Sequence, residues 1–321
     1  MASSRPVLLA LLSVLWSCGG EQPNPRARDE LRAVATCTPT ELAAALQTHD
    51  GATLVVAFDL DAAEVQAAVD AADRAQPPFV VLIGGTAAEG ALPDAWIQPR
   101  SGAEAAVDLA LLACTGTAPT ATRYEIGART WTEANRAAGG DPTLAPADAL
   151  LALLRMQRGD ALDTSPSTGA NYAVALLADE DGPTWQAAAL AEVRAAAARY
   201  PQLRLVERSE TAGDVLADAR AILLASQDRE RIQSVAQAAA ERADGAIPVF
   251  ALDPLMGEAK GACSIGCTPR TVAQAAAARI RALLPEGGDL LICAPRDPDA
   301  RTEARREALA TALGLEPASL R

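Results

Sequence analysis

The side chains of this chain that could do chemistry are few, and most of them fall just beyond short apolar runs. Trp185 follows one such run and opens a helical stretch, where an indole can stack on the ring of a ligand or simply cover the core. Asp179 and Asp181 share the loop before it. Either carboxylate could accept hydrogen bonds from hydroxyl groups, and Asp181 is equally placed to cap the helix from Thr184. Phe58 and Asp59 end a second apolar run, and if two halves of the protein close on each other Phe58 could face Trp185 across a bound solute. Asp59 could take up hydroxyls, with Asp61 the better candidate to cap the helix from Ala62. Gln98 brings two donors and an acceptor, or serves as a polar hinge residue. Together these groups suit the recognition of a small polar molecule.

They do not suit covalent or metal chemistry. His49 is the sole histidine, it sits in a polar loop, and no nucleophile motif stands ready for it to serve. Cys263 and Cys267 have a spacing that could suit a metal, but no second pair and no nearby histidine complete a four-ligand site, so no metal is expected. Gly84, Gly85 and Gly90 follow an apolar run without a GxGxxG or Walker pattern, and a tight turn explains them better than a phosphate loop. No cofactor and no enzymatic activity are expected.

Composition bounds the partners. The chain of 321 residues is 50% hydrophobic and 21% charged, enough for one large domain or two ordinary ones. Aromatics are only 3%, so alanine, leucine and valine must build the interior. A net charge of −13 with no Lys/Arg cluster lacks the basic footprint of nucleic-acid binding. Residues 1–18 read as a signal peptide: Arg5, then an apolar run from Val7 to Leu15 too short to span a bilayer. Its end, Leu15-Trp16-Ser17-Cys18-Gly19-Gly20, resembles a bacterial lipobox, which would make Cys18 the lipidated residue; Trp16 is unusual there. Residues 19–30 are polar and proline-rich, as a tether would be. Export would put Cys37, Cys114, Cys263, Cys267 and Cys293 in an oxidising compartment, where some could pair.

The elements that must position these groups alternate. Strands are predicted over Thr53–Phe58, Phe79–Ile83, Tyr172–Leu177, Leu203–Val206, Ala221–Leu224, Val249–Leu252 and Asp289–Cys293. Their uninterrupted apolar runs suit strands buried on both faces of a parallel sheet. Helices are predicted over Ala62–Ala75, Ala103–Ala113, Ala147–Gln157, Thr184–Arg199, Arg229–Ala243, Thr271–Leu284 and Ala300–Leu313. The rhythm gives right-handed crossovers and doubly wound sheets. The chain also repeats itself. Thr53–Asp61 lies over Arg220–Asp228, Phe79–Ile83 over Pro248–Leu252, and Pro99-Arg100-Ser101 over Pro269-Arg270-Thr271. The ordered series predicts an α/β fold of two doubly wound parallel-sheet lobes with a cleft between them, joined by a linker over 146–170. Ligands of such folds bind outside the carboxyl ends of the strands.

A family resemblance attaches to several segments. Tyr172-Ala-Val-Ala-Leu-Leu-Ala-Asp-Glu-Asp-Gly-Pro-Thr-Trp-Gln186 resembles the opening strand, loop and helix of the type I periplasmic binding proteins, the sugar-binding group. Ala221–Ser226 resembles a strand that carries a cleft loop, Ala246–Asp253 a later strand, and Arg296–Leu309 the start of the second lobe. In the family the Tyr172-like segment opens the mature protein. Here Val55–Asp59, Val81–Thr86, Ile97–Ala106 and Gly127–Asn135 come first and resemble the family's C-terminal half, with Phe58 where asparagine is usual and Gly85 in place of aspartate. The chain therefore resembles a circularly permuted member, with 31–145 plus 287–321 as the C-terminal-type lobe and 171–286 as the N-terminal-type lobe; two incomplete lobes from a duplication are the rival arrangement. The resemblance implies a periplasmic binding protein-like I fold and a small solute, a sugar or a relative, held in the cleft. It also matches Asp253, Arg296, Arg301 and Arg305 to cleft positions and implies an aromatic ligand role at the place of Trp185. The expected partners are an ABC transporter permease or a membrane sensor, with a lipid anchor on the periplasmic face of a bacterial membrane. A family member that has lost its ligand, or a carboxylate-based hydrolase, are the alternatives.

The anchor is directly testable. Changing Cys18→Ser should release the protein from isolated membranes; a variant that still sediments with them after a high-salt wash would remove the lipid anchor from this account.

Overall fold

Continuous apolar runs become strands here because both faces of each sheet are covered by helices. The computed structural model describes residues 31–49, 51–87, 93–116, 121–142, 171–179, 184–208, 218–242, 245–252 and 259–316. Its strands are β1 (Leu31–Cys37), β2 (Ala52–Phe58), β3 (Phe79–Ile83), β4 (Ala95–Gln98), β5 (Arg123–Glu125), β6 (Arg129–Trp131), β7 (Asp141–Pro142), β8 (Tyr172–Ala178), β9 (Leu203–Arg208), β10 (Ala221–Ala225), β11 (Val249–Leu252), β12 (Ala262–Gly266) and β13 (Gly288–Cys293). The α-helices are α1 (Leu42–Thr48), α2 (Ala62–Ala71), α3 (Ala103–Cys114), α4 (Thr184–Ala197), α5 (Arg229–Ala240), α6 (Pro269–Leu283) and α7 (Ala300–Leu313).

Two sheets form. One has seven strands in the order β1-β13-β2-β3-β4-β6-β7; the other has six, β5-β12-β11-β10-β8-β9. The six-stranded sheet is parallel throughout. The seven-stranded sheet is parallel from β1 to β4, and the short β6 and β7 add antiparallel at its edge. It is thus mixed, where an all-parallel sheet was expected. Asp289 pairs with Ala52, so β13 lies beside β2 as the order of segments predicts.

The period-2 alternation of each strand sorts its side chains into two cores. Leu54, Val56 and Phe58 point to the face covered by α6 and α7, while Val55 and Ala57 point to the face with α1 and α2. In the second sheet Val174 and Leu176 pack with α3 and α4, and Ala175 and Leu177 with α5. Helix starts follow the sequence: Asp61, Asp228, Thr268 and Asp299 each accept a hydrogen bond from a first-turn backbone N–H.

The internal repeat is visible in the strand order. β13-β2-β3-β4 in one sheet matches β8-β10-β11-β12 in the other. The division of the chain departs from the expected one at two places. Segment 103–125 was expected with 31–100, yet α3 and β5 join the six-stranded sheet; α6, expected with 171–266, packs on the seven-stranded sheet. The Pro-Arg segments at 99 and 269 explain this. Each carries the chain from the carboxyl end of one sheet to a helix on the other, and the return at 126–128 makes three crossings among the described residues.

The turn after β3 depends on two glycines. Gly84 and Gly85 have positive φ, and a Cβ on Gly85 would lie 1.9 Å from the Leu60 carbonyl oxygen. Gly85→Ala should therefore cost roughly 3 kcal/mol or more of stability in urea unfolding. Gly139→Ala has a comparable φ but nothing within 4 Å, and should cost only about 1 kcal/mol. Equal losses would show that the close approach at Gly85 is not what requires glycine.

Candidate functional site

The strand ends supply the site. β2 finishes at Phe58, and Asp59 turns the chain with a left-handed φ of 51°, a conformation that aspartate tolerates better than most side chains. Its carboxylate is held at two oxygens. Oδ1 accepts from Arg305 Nη1 at 2.7 Å, and Oδ2 accepts from Thr302 Oγ1 at 2.6 Å. Arg301 Nη2 stands 3.6 Å from Oδ1. These three partners lie on α7, whose first turn is fixed by Asp299 accepting from Thr302 N at 2.7 Å. Burial raises the Asp299 carboxyl, but the Thr302 N–H, the Thr302 hydroxyl it shares with Asp59, and the charges of Arg301 and Arg305 together outweigh it and hold the group below its ordinary value. Arg305 is almost wholly buried; desolvation pulls its guanidinium below its ordinary value against the opposing charge of Asp59. Gly84 makes the pair possible, because a Cβ there would meet Asp59 Oδ1 at 2.1 Å and Arg305 Nη1 at 2.8 Å.

β4 supplies Gln98, and a stacked pair of indoles aims it. Trp131 Nε1 donates to Gln98 Oε1 at 2.9 Å, which leaves the amide hydrogens as what Gln98 can offer. The Trp96 and Trp131 rings stack with centroids 6.0 Å apart, and the Arg129 guanidinium lies 5.6 Å from the Trp131 ring centre. Trp96 Nε1 donates to Gly84 O at 2.8 Å, tying this stack to the glycine turn.

A cavity of about 450 Å³ opens over these strand ends, lined among others by Asp59, Gln98, Arg100, Trp185, Arg301 and Arg305. It draws residues from both sheets: Asp59 and Gly84 follow β2 and β3 and Gln98 ends β4, while Leu252 and Gly266 end β11 and β12. Trp185 is half-buried in the first turn of α4, packed against the core of the six-stranded sheet. Its Nε1 is buried and finds no hydrogen-bond partner among the described residues, as does Arg301 Nε. A second cavity of about 390 Å³ shares the 98–101 segment and Glu192, which accepts a hydrogen bond from Ser101 Oγ.

The structure gathers Trp185, Asp59, Gln98, Arg301 and Arg305 around one cavity. The other six expected residues fare differently. Phe58 does not face Trp185: it is completely buried, on the same side of β2 as Leu54 and Val56, in the core under α6 and α7. Alternation along the strand decides this, since a residue in register with core positions cannot also point outward. Asp179 lines neither cavity and instead stands 3.1 Å from Arg231 Nη1 on α5, while Arg231 Nη2 donates to Ala178 O. Arg296 is exposed outside both cavities, where its charge helps hold the Glu41 carboxyl below its ordinary value, behind the hydrogen bonds from Thr38. Asp181, Asp253 and Cys18 lie outside the described residues.

Thr302 and Arg100 were not singled out from the sequence; Thr302 carried a signal, three residues after an aspartate that opens a helix. His49 is exposed at the end of α1. Cys263 and Cys267 pack in different cores, burial pushes each thiol up to about 12, and no group of three or more metal-ligating side chains gathers among the described residues. No protein-family model matches the chain, and no curated protein sequence matches it.

The Asp59–Arg305 contact should be strongly coupled. Arg305→Met would leave a mostly buried carboxylate with its hydroxyl partner and the more distant Arg301, at a cost of about 3 kcal/mol, and adding Asp59→Asn should recover part of the loss. A double-mutant cycle by chemical denaturation that returned simple additivity would show the pair to be energetically idle.

Proposed function

We propose that this chain is an extracytoplasmic solute-binding lipoprotein, circularly permuted relative to the type I periplasmic binding proteins, that captures a small polar solute such as a sugar between two α/β lobes. Delivery to an ABC transporter permease, or presentation to a membrane sensor, would follow. The observation that carries the reading is the 450 Å³ cavity at the carboxyl ends of strands from both sheets, lined by the indole of Trp185 and by polar groups on either side. Its volume suits a small molecule, and strand carboxyl ends are where open α/β sheets bind ligands. Trp185 would stack on the solute ring, and Gln98 and Arg301 would donate to its oxygens. The three short crossings between the sheets would act as the hinge, and the 98–101 crossing itself lines the cavity.

Permutation is supported by the sheet order. Beside β8 lies β9, the strand that follows α4; beside β13, the equivalent place after α7 is filled by β1. Export and anchoring rest on Arg5, the Val7–Leu15 run and Cys18; among the described residues no helix is long and apolar enough to cross a membrane. Binding without catalysis is supported by the state of the candidate groups: the thiol at the cavity, Cys267, is pushed up to about 12 by burial, and His49 stands away from it.

A degenerate protein without a ligand is the second reading, and one observation favours it. Both carboxylate oxygens of Asp59 are already engaged by Arg305 and Thr302, and Phe58 has gone to the core.

A thermal-shift screen against sugars, polyols, nucleosides and amino acids separates the two, because a ligand that binds the folded state raises the melting temperature by mass action. Under the first reading at least one class stabilises the protein, and Trp185→Ala weakens that ligand roughly tenfold or more while circular dichroism is unchanged. No shift with any class would favour the degenerate reading; a ligand whose affinity ignores Trp185→Ala would place the site elsewhere.

A further inference from the structure

Two cysteines that the cavity does not use stand side by side at one edge of the seven-stranded sheet. Cys37 is the last residue of β1, the edge strand, and Cys293 is the last residue of β13, its neighbour. They are direct register partners in the parallel ladder. Neighbouring strands run about 4.8 Å apart, within the Cα separation of about 4.4–6.8 Å that disulfides span. Both side chains lie on the same face, against the core under α1 and α2. No disulfide joins them in this structure.

The environment distinguishes the two thiols. Cys293 is fully buried and Cys37 half-exposed. The Cys293 S–H donates to the Cys37 sulfur, which holds the Cys37 thiol below its ordinary value despite burial and the charge of Glu41. The same hydrogen bond, with burial, pushes Cys293 far up. The accessible sulfur is thus the one whose thiolate is favoured, and the resolving sulfur waits behind it. No other described cysteine has this arrangement: Cys114, Cys263 and Cys267 are not register partners of one another or of this pair.

We propose that Cys37 and Cys293 are a thiol–disulfide site that reversibly locks the edge strand β1 to the sheet. The oxidant is a low-molecular-weight disulfide such as oxidised glutathione. The Cys37 thiolate attacks one glutathione sulfur, the glutathione S–S bond breaks, and the first glutathione leaves and takes up a proton. The Cys293 thiol then loses its proton and attacks the Cys37 sulfur, forming the Cys37–Cys293 bond and expelling the second glutathione. Two protein thiols are oxidised by two electrons, and one disulfide is reduced to two thiols. Bridging needs the Cβ atoms drawn to about 3.8 Å, closer than a relaxed ladder sets them, so the bond is readily reduced again. An edge strand, paired on one side only among the described residues and with a register irregularity between Leu31 and Val34, can make that adjustment.

The test uses the full chain, incubated in glutathione buffers of increasing oxidised fraction, quenched by alkylation and mapped by mass spectrometry. A linked Cys37–Cys293 peptide is expected, with Tm raised by several degrees and reversal in excess reduced glutathione. Cys293→Ser should stop at a glutathione adduct on Cys37, and Cys37→Ser should leave Cys293 unmodified. Two free thiols at the most oxidising ratio would overturn the site, as would Cys37 joined to any other cysteine, Cys18 included. The unmodified chain decides the question on its own if either variant fails to fold.

Discussion

Asp59 fastens the carboxyl end of the seven-stranded sheet to the helix that follows its neighbouring strand, and the cavity is shaped around that contact. Bringing a carboxylate and a guanidinium out of water costs more than their attraction returns unless the geometry is close and the remaining hydrogen-bonding capacity is met. Here Arg305 and Thr302 each take one carboxylate oxygen at hydrogen-bond length. The contact also imposes a left-handed backbone on Asp59, a strain of about 1–3 kcal/mol that persists only where the surroundings over-determine it. The surroundings are Gly84, which leaves room for both charged groups, and the Asp299 cap that presents Thr302 in the first turn of α7. β2, β3 and α7 thus meet at one buried point, and each depends on a residue type that no neighbour could replace.

The second fixed point is carried by aromatic rings. In a chain with only four tryptophans, two are stacked on each other across the paired strands β4 and β6. Their indole N–H groups hold Gly84 and Gln98, so the glycine turn, the glutamine and the antiparallel edge move as one body. The segment that crosses to the other sheet starts immediately after Gln98. A rigid start and a short Pro-Arg-Ser-Gly connection would concentrate any change of angle between the sheets into a few residues that also line the cavity.

Most of this scaffold was legible in the sequence because β2, β3, β8, β10, β11 and β13 are uninterrupted apolar runs, long enough to be buried on both faces. The strands that escaped are of another kind. Leu31–Cys37 is broken by Arg32 and Thr36, Ala262–Gly266 is built from small residues, Ala95–Gln98 holds four residues, and β5 to β7 are shorter still, so none reads as a continuous apolar run. Their placement is set by neighbours, which a local pattern cannot express. The exchange of α3 and α6 between the sheets is hidden for the same reason, since a helix's apolar face does not say which sheet it covers. Among site residues, Asp59 and Trp185 were readable from their places beyond a strand end and at a helix start, Gln98 from its amide, and Arg301 and Arg305 only through the family resemblance. Phe58 was misread although the alternation Leu54-Val56-Phe58 was in view: its type suggested a ligand, and its register put it in the core. Asp179 and Arg296 sit beyond strand ends too, but loop direction carried one to Arg231 and the other to the surface.

What the cavity has left to offer after its internal contacts are made bears on what it could hold. Asp59, the most conspicuous acceptor, is bound at both oxygens, and Glu192 is engaged by Ser101. Gln98 has committed its acceptor oxygen to Trp131, and Trp185 Nε1 and Arg301 Nε have no partner among the described residues. The balance of uncommitted groups is therefore weighted toward donors, beside an indole face. A buried donor without a partner costs about 1–3 kcal/mol, and since Trp185 Nε1 and Arg301 Nε are shielded from solvent, a solute rich in acceptor oxygens relieves that cost only where closure or opening of the cavity brings it to them. Under the proposed reading, selectivity would then come less from the carboxylate that first draws the eye than from the donors that the fold leaves unanswered around it.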